Sequence, residues 1–142
     1  MSFRISRSRF LLLLVVGALA LLGAHGKTLL LDDSDDNSHI CLYVGDTLTI
    51  KLASNPSTGY SWGKAEVSHM HMISSDSKEG SSGRVGEPGF QTFSFQASEE
   101  GESTFTLRYF RPFEKDTAPV KTFLLFLTIE PRPLVSKDYS AK

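Results

Sequence analysis

From Thr92 to Ala97, and again from Thr104 to Tyr109, every second side chain is apolar. Phe93, Phe95 and Ala97 alternate with Thr92, Ser94 and Gln96, and Phe105, Leu107 and Tyr109 alternate with Thr104, Thr106 and Arg108. A period of two belongs to an extended strand with one face buried and the other in water. The same rhythm occurs earlier, where Leu48, Ile50 and Leu52 alternate with Thr47, Thr49 and Lys51. Further strands are read at 27–31, 39–44, 60–67, 70–74 and 120–129, the last more uniformly apolar. Gly45-Asp46 and Glu99-Glu100-Gly101-Glu102 read as turns, and 75–89, rich in Ser and Gly, as a long loop. Helical signals are weak throughout. Seven or eight short strands with alternating faces predict an all-β, immunoglobulin-like antiparallel β-sandwich.

The first residues stand apart from this pattern. Arg4, Arg7 and Arg9 precede an apolar run of 13 residues, 10–22, and Ala24-His25-Gly26 puts small residues at the −3 and −1 positions of a cleavage site. This is the layout of a secretory signal peptide. The run falls short of the roughly 20 residues that a membrane-spanning helix needs, which argues against a retained signal anchor. The expected organisation is a leader at 1–26, an immunoglobulin-like domain at 27–130 and a loose C-terminal tail at 131–142. The expected location is outside the cell or in the endomembrane lumen, with no stable membrane association after leader cleavage.

Cleavage after Gly26 leaves 116 of the 142 residues, enough for one core. It removes three of 15 basic residues and none of 16 acidic ones, so the net charge becomes −4. A mildly acidic chain without a basic stripe argues against nucleic-acid binding. Asp32, Asp33, Asp35 and Asp36 cluster just after the leader but lack the Gly and terminal Glu of an EF-hand, so a solvated acidic turn is expected. Cys41 is the only cysteine, so no internal disulfide can form and the fold rests on its apolar core. Within the alternating His39-Ile40-Cys41-Leu42-Tyr43, Cys41 is expected to be a buried structural thiol.

Three loops carry the functional signal. In Asn55-Pro56-Ser57-Thr58-Gly59-Tyr60, Pro56 fixes its own φ and holds Asn55 extended, while Gly59 is free to take a positive φ. The result is a stiff turn with a hydroxyl at its apex, and a stiff loop has lost most of its entropy before it binds. The second loop is Gly86-Glu87-Pro88-Gly89, and the third is Arg111-Pro112-Phe113. In an immunoglobulin-like sandwich, loops leaving alternate strands gather at one end. Aromatic and arginine side chains are enriched in binding hot spots. Three rigid loops on one face describe a binding surface more naturally than a catalytic one.

These segments resemble a known family. Asn55-Pro56-Ser57-Thr58-Gly59-Tyr60 is similar to the Asn-Pro-Thr/Ser-Thr-Gly-Tyr/Phe loop of the chagasin family, inhibitors of papain-like cysteine proteases. Gly86-Glu87-Pro88-Gly89 resembles that family's Gly-x-x-Gly loop, and Arg111-Pro112-Phe113 its Arg-Pro-Trp motif. The three occur in the family's order and at similar spacing, over about 29–129. The resemblance implies an immunoglobulin-like domain that binds reversibly across the active-site cleft of papain-like cysteine proteases, cathepsin-L-type enzymes among them. It implies that Asn55, Pro56, Ser57, Thr58, Gly59 and Tyr60 form a central wedge, with Thr58 close to the protease's catalytic cysteine. Gly86, Glu87, Pro88 and Gly89 would flank it on one side, and Arg111, Pro112 and Phe113 on the other. Two departures stand out. Phe113 replaces a Trp, losing the indole N–H and some area, and Pro88 occupies a position often held by Gly.

Other chemistries find less support. His69 and His71, at i and i+2 on a strand, share one face and could hold a metal, but no third ligand is obvious nearby. The serines form no nucleophile-elbow pattern. The reading therefore includes no catalytic residue, no metal and no cofactor. Trp62, Phe93, Phe95, Phe105, Tyr109 and Phe123 are assigned to the core. The alternative function is a secreted immunoglobulin-like adhesion or ligand-binding module, which accounts for the strands and the leader but not for the three loop motifs. A monomer is expected.

Overall fold

The computed structural model describes residues 26–80, 84 and 86–134. The leader assigned to 1–26, apart from Gly26, lies outside the described residues. So do 135–142 of the tail and 81–83 and 85 of the long loop. Among the described residues eight strands are formed: β1 (Thr28–Asp32), β2 (Ser38–Tyr43), β3 (Thr47–Ser54), β4 (Ser61–Trp62), β5 (Met70–Lys78), β6 (Gly89–Ala97), β7 (Gly101–Phe110) and β8 (Lys121–Glu130). Helix among the described residues is limited to two 3₁₀ turns, Asp33–Asp35 and Pro56–Thr58. The strands make two four-stranded sheets, in the orders β1-β3-β6-β5 and β2-β8-β7-β4.

The sandwich follows from the alternation. Leu48, Ile50 and Leu52 of β3 and Phe93, Phe95 and Ala97 of β6 point inward from one sheet. From the other come Phe105, Leu107 and Tyr109 of β7, with Phe123, Leu125, Leu127 and Ile129 of β8. Phe95 and Phe105 meet edge to face across the layers, 5.1 Å between ring centroids. Each of these large side chains contributes about 1.5–3 kcal/mol by leaving water, and together they take the place of a disulfide. All six aromatics assigned to the core from the sequence are buried.

The pairing is mixed. Four of the six strand pairs are antiparallel, while β1 joins β3 and β2 joins β8 in parallel at the sheet edges. The strand expected at 60–67 is only the two-residue β4 followed by an isolated bridge from Glu66 to Thr106. Gly63 still donates its N–H to Arg108 O at 2.9 Å and lies under the Phe110 ring, where a Cβ would come within 2.5 Å, and regular pairing then lapses until Glu66. Conversely, Ser75–Lys78 of the expected loop belong to β5, because their backbone pairs with Phe93–Phe90 of β6 whatever their side chains.

Cys41 is exposed rather than buried. On β2 it is Leu42 that points into the core, so Cys41 shares the outer face with His39 and Tyr43. His69 precedes β5, at φ 62°, and its Nδ1 lies 3.3 Å from Glu99, while His71 lies on the strand. The acidic cluster is a turn whose carboxylates accept backbone amides. Asp32 Oδ1 takes Ser34 N, Asp35 Oδ2 takes Asp32 N, Asp33 Oδ2 takes Ala53 N and Asp36 Oδ1 takes Leu124 N.

Candidate functional site

The first loop is tied into its shape by its own main chain. Pro56–Thr58 form a 3₁₀ turn in which Thr58 N donates to Asn55 O at 3.2 Å and Gly59 N to Pro56 O at 3.0 Å. Gly59 closes the turn at φ 80°, in the left-handed region that disfavours a Cβ. The hydroxyls of Ser57 and Thr58 both turn back onto Asn55. Thr58 Oγ1 donates to Asn55 O and Ser57 Oγ to Asn55 Oδ1, both at 2.6 Å. Pro56, Ser57 and Thr58 remain exposed.

Beneath the loop is a foundation of buried rings and shared polar atoms. Asn55 N donates to Tyr109 Oη at 2.9 Å. The Tyr109 ring stacks on Tyr60 at 5.5 Å and tilts against Trp62 at 5.0 Å. Trp62 Nε1 donates to Ala53 O at 3.0 Å. Gln91 Oε1 accepts both Trp62 N, at 2.7 Å, and the hydroxyl of the buried Ser54, at 3.1 Å. One amide oxygen therefore ties together the end of β3, the two-residue β4 and the start of β6, the strands from which the first two loops spring.

The other two loops close on the first. Asn55 Nδ2 donates to Gly86 O at 3.4 Å, and Gly86 sits at φ 90°. An open cleft of about 220 Å³ lies between Pro56 and Gly86, with Glu79 and Arg84 also on its walls. Glu87 is half-buried and Pro88 exposed, but Gly89 is already the buried first residue of β6, paired with Ser54. On the opposite side Arg111 Nε donates to Thr58 O at 3.1 Å, and its guanidinium lies 4.4 Å above the Tyr60 ring. Arg111 is held there by Glu114, whose carboxylate accepts from Nη1 at 2.8 Å and is the main cause of a raised Arg111 pKa. Phe113 lies against Gly59 yet is 70% exposed, and Pro112 is exposed beside it.

The thirteen residues singled out in the sequence thus lie together, in two roles. Pro56, Ser57, Thr58, Gly86, Glu87, Pro88, Pro112 and Phe113 form the outer surface, Glu87 half-buried along the cleft. Asn55, Gly59, Tyr60, Gly89 and Arg111 hold that surface in place. Sequence reasoning missed four supports: Ser54, Gln91, Tyr109 as a hydrogen-bond acceptor, and Glu114. Three of them carry a visible signal. Ser54, Gln91 and Tyr109 each fall on the inward phase of their strands, and a polar atom on a core-facing position must find a partner. The surface offers exposed prolines, a phenyl ring and main chain, the makings of a contact face.

Comparison with known proteins gives a consistent picture. The profile of the chagasin family peptidase inhibitors matches residues 41–126, which include all three loops. Amoebiasin-2 of Entamoeba histolytica is 28% identical over 103 residues, 70% of this chain and 84% of that protein. The crystal structure of the cysteine protease inhibitor EhICP2, from Entamoeba histolytica, matches with a TM-score of 0.65 at 26% identity, covering 75% of this chain and 98% of that one. The solution structure of Amebosin matches with a TM-score of 0.59 at 23% identity, over 74% of this chain and 98% of that one, a likeness of fold.

Proposed function

Because this chain belongs to the chagasin family, which is made of peptidase inhibitors and not of enzymes, we propose that it reversibly inhibits papain-like cysteine proteases by laying its three loops across the active-site cleft. Cathepsin-L-type enzymes are among the proposed targets. The observation that carries the reading is the order of the first loop before any partner is present.

Hydrolysis requires a scissile carbonyl to reach a near-attack position, about 3–3.5 Å from the nucleophile and correctly oriented. Around the apex three carbonyls are already engaged. Asn55 O accepts from Thr58, Pro56 O from Gly59 N and Thr58 O from Arg111. A protease would have to break these bonds and unwind the 3₁₀ turn to present an extended segment. The loop can therefore fill a cleft without becoming a substrate. Thr58 would sit closest to the catalytic cysteine, with 86–89 and 111–113 on the two sides. Burying the Phe113 ring against a partner would contribute about 2 kcal/mol.

The proposal includes entry into the secretory pathway through the leader and a monomeric working state. The test is a titration of the purified mature chain against papain with a fluorogenic substrate. Nanomolar, reversible inhibition with the chain left uncut is expected, and Thr58→Asp, which buries an unpaired charge in the cleft, should abolish it while leaving the fold intact. Absence of inhibition, or rapid cleavage of the chain, would overturn the reading in favour of a secreted adhesion or ligand-binding module.

A further inference from the structure

At the start of the folded body, Lys27 N donates to Asp46 Oδ1 at 2.9 Å, and Lys27 O accepts from Thr47 N at 2.8 Å. Asp46 is only 5% exposed. Its other oxygen accepts Tyr43 N at 2.9 Å, and Arg132 pairs with Oδ1 while donating from Nε to Val44 O at 3.1 Å. Burial pulls the Asp46 carboxyl upward, but the amides of Tyr43 and Lys27 together with Arg132 outweigh it and hold the group below its ordinary value. The carboxylate is thus an oriented, ionised acceptor aimed at the nitrogen of residue 27. Just before it, Gly26 packs so closely that a Cβ would come within 2.0 Å of Gly45 O. Gly26 is also the −1 residue of the cleavage site read from the sequence.

We propose that Asp46 is a built site for the α-ammonium of the mature chain, created by cleavage between Gly26 and Lys27. The inference rests on the leader and is independent of the inhibitor reading. Hydrolysis of that peptide bond by a signal peptidase consumes one water. The hydroxyl adds to the Gly26 carbonyl carbon, which leaves with the leader as a carboxylate, and the Lys27 nitrogen takes up protons to become an ammonium. In the folded protein Gly26 and Lys27 lie against Gly45 and Asp46, so cleavage precedes folding. The product exchanges a neutral amide donor for a charged one, and charge-assisted hydrogen bonds are roughly twice as strong as neutral ones.

The sign with pH follows from linkage. An ammonium held by a carboxylate has a folded pKa above its unfolded value of about 7.7–8.0. Its contribution is complete below that unfolded value and is lost as pH rises through the folded one. The charged groups gathered around it are Asp46, Arg132 and the side chain of Lys27, all present in both proteins compared below, and the glycine-extended chain carries its ammonium one residue further out.

The full coding chain is secreted from a eukaryotic host and its terminus read by intact mass. A second version carries one glycine inserted between Gly26 and Lys27, so that the mature chain begins Gly-Lys27 and the Lys27 nitrogen stays an amide. A chain beginning at Lys27 is expected, melting about 3 °C or more above the glycine-extended one at pH 6. The gap should close at pH 10, and at pH 6 in an Asp46→Asn background. A terminus elsewhere, equal melting at pH 6, or a gap that persists at pH 10 or in Asp46→Asn would overturn the proposal. If Asp46→Asn does not fold, the pH comparison decides by itself.

Discussion

Replacing Tyr109 with phenylalanine removes one oxygen from the foundation of the first loop and little else. The ring would still stack on Tyr60 and Trp62, so the apolar packing stays. What disappears is the acceptor for Asn55 N, 2.9 Å away, at a residue that is only partly accessible to water. Losing such a bond costs about 1 kcal/mol. For a folded body of this size that is a fall of about 4 °C in melting temperature. If the loop binds only in its tied form, the competent fraction falls by the same free energy. The apparent inhibition constant then rises by up to about fivefold, since about 1.4 kcal/mol corresponds to a factor of ten. Scanning calorimetry and a progress-curve inhibition assay on papain measure the two quantities together. An unchanged inhibition constant beside a lowered melting temperature would show that binding does not depend on the loop's prior order. A loss beyond a hundredfold would show that the hydroxyl does more than anchor Asn55.

Three further expectations follow from the same geometry. Gly59→Ala puts a Cβ at φ 80° and 2.9 Å from Phe113 Cε1, so it should destabilise by about 1–2 kcal/mol in urea unfolding and weaken inhibition by displacing the phenyl ring. Arg111→Lys keeps the charge but loses the planar fork that joins Thr58 O, Glu114 and the Tyr60 face. It should slow association with the protease while moving the melting temperature by less than about 3 °C. Asp46, with its depressed pKa, contributes stability that is present above the unfolded value of about 3.9 and lost as pH falls through the folded one. In melting curves from pH 6 to pH 2, Asp46→Asn should therefore flatten the acid limb relative to the unaltered chain.

The parts of this molecule that were legible in the sequence are those where one strand states its own phase. Leu48-Ile50-Leu52, Phe93-Phe95 and Phe105-Leu107 each alternate cleanly, and each faces the core. Where both phases are apolar the side cannot be read, and Cys41, flanked by Ile40 and Leu42, went outward against expectation. The Ser-rich half of β5 carries no alternation because it is an exposed edge whose extension is imposed by pairing with β6. The three loops announced themselves through Pro and Gly, residues whose backbone preferences are local. Their mutual ties did not, because Arg111 to Thr58 and Asn55 to Gly86 span 53 and 31 residues. Spacing along the chain carries no record of such contacts.

The parallel pairing of β2 with β8 sets the order of events during synthesis. Ser38 lies beside Leu125, so an early strand waits for nearly the last one before it has any partner. At chain-elongation rates of about 5–20 residues per second the wait is on the order of ten seconds. Until β8 arrives, β7 also lacks one of its two neighbours, and the strand that delivers Tyr109 and Arg111 to the loop face has no settled position. Until then the first loop has only its local hydrogen bonds and lacks a settled partner in Tyr109 and Arg111.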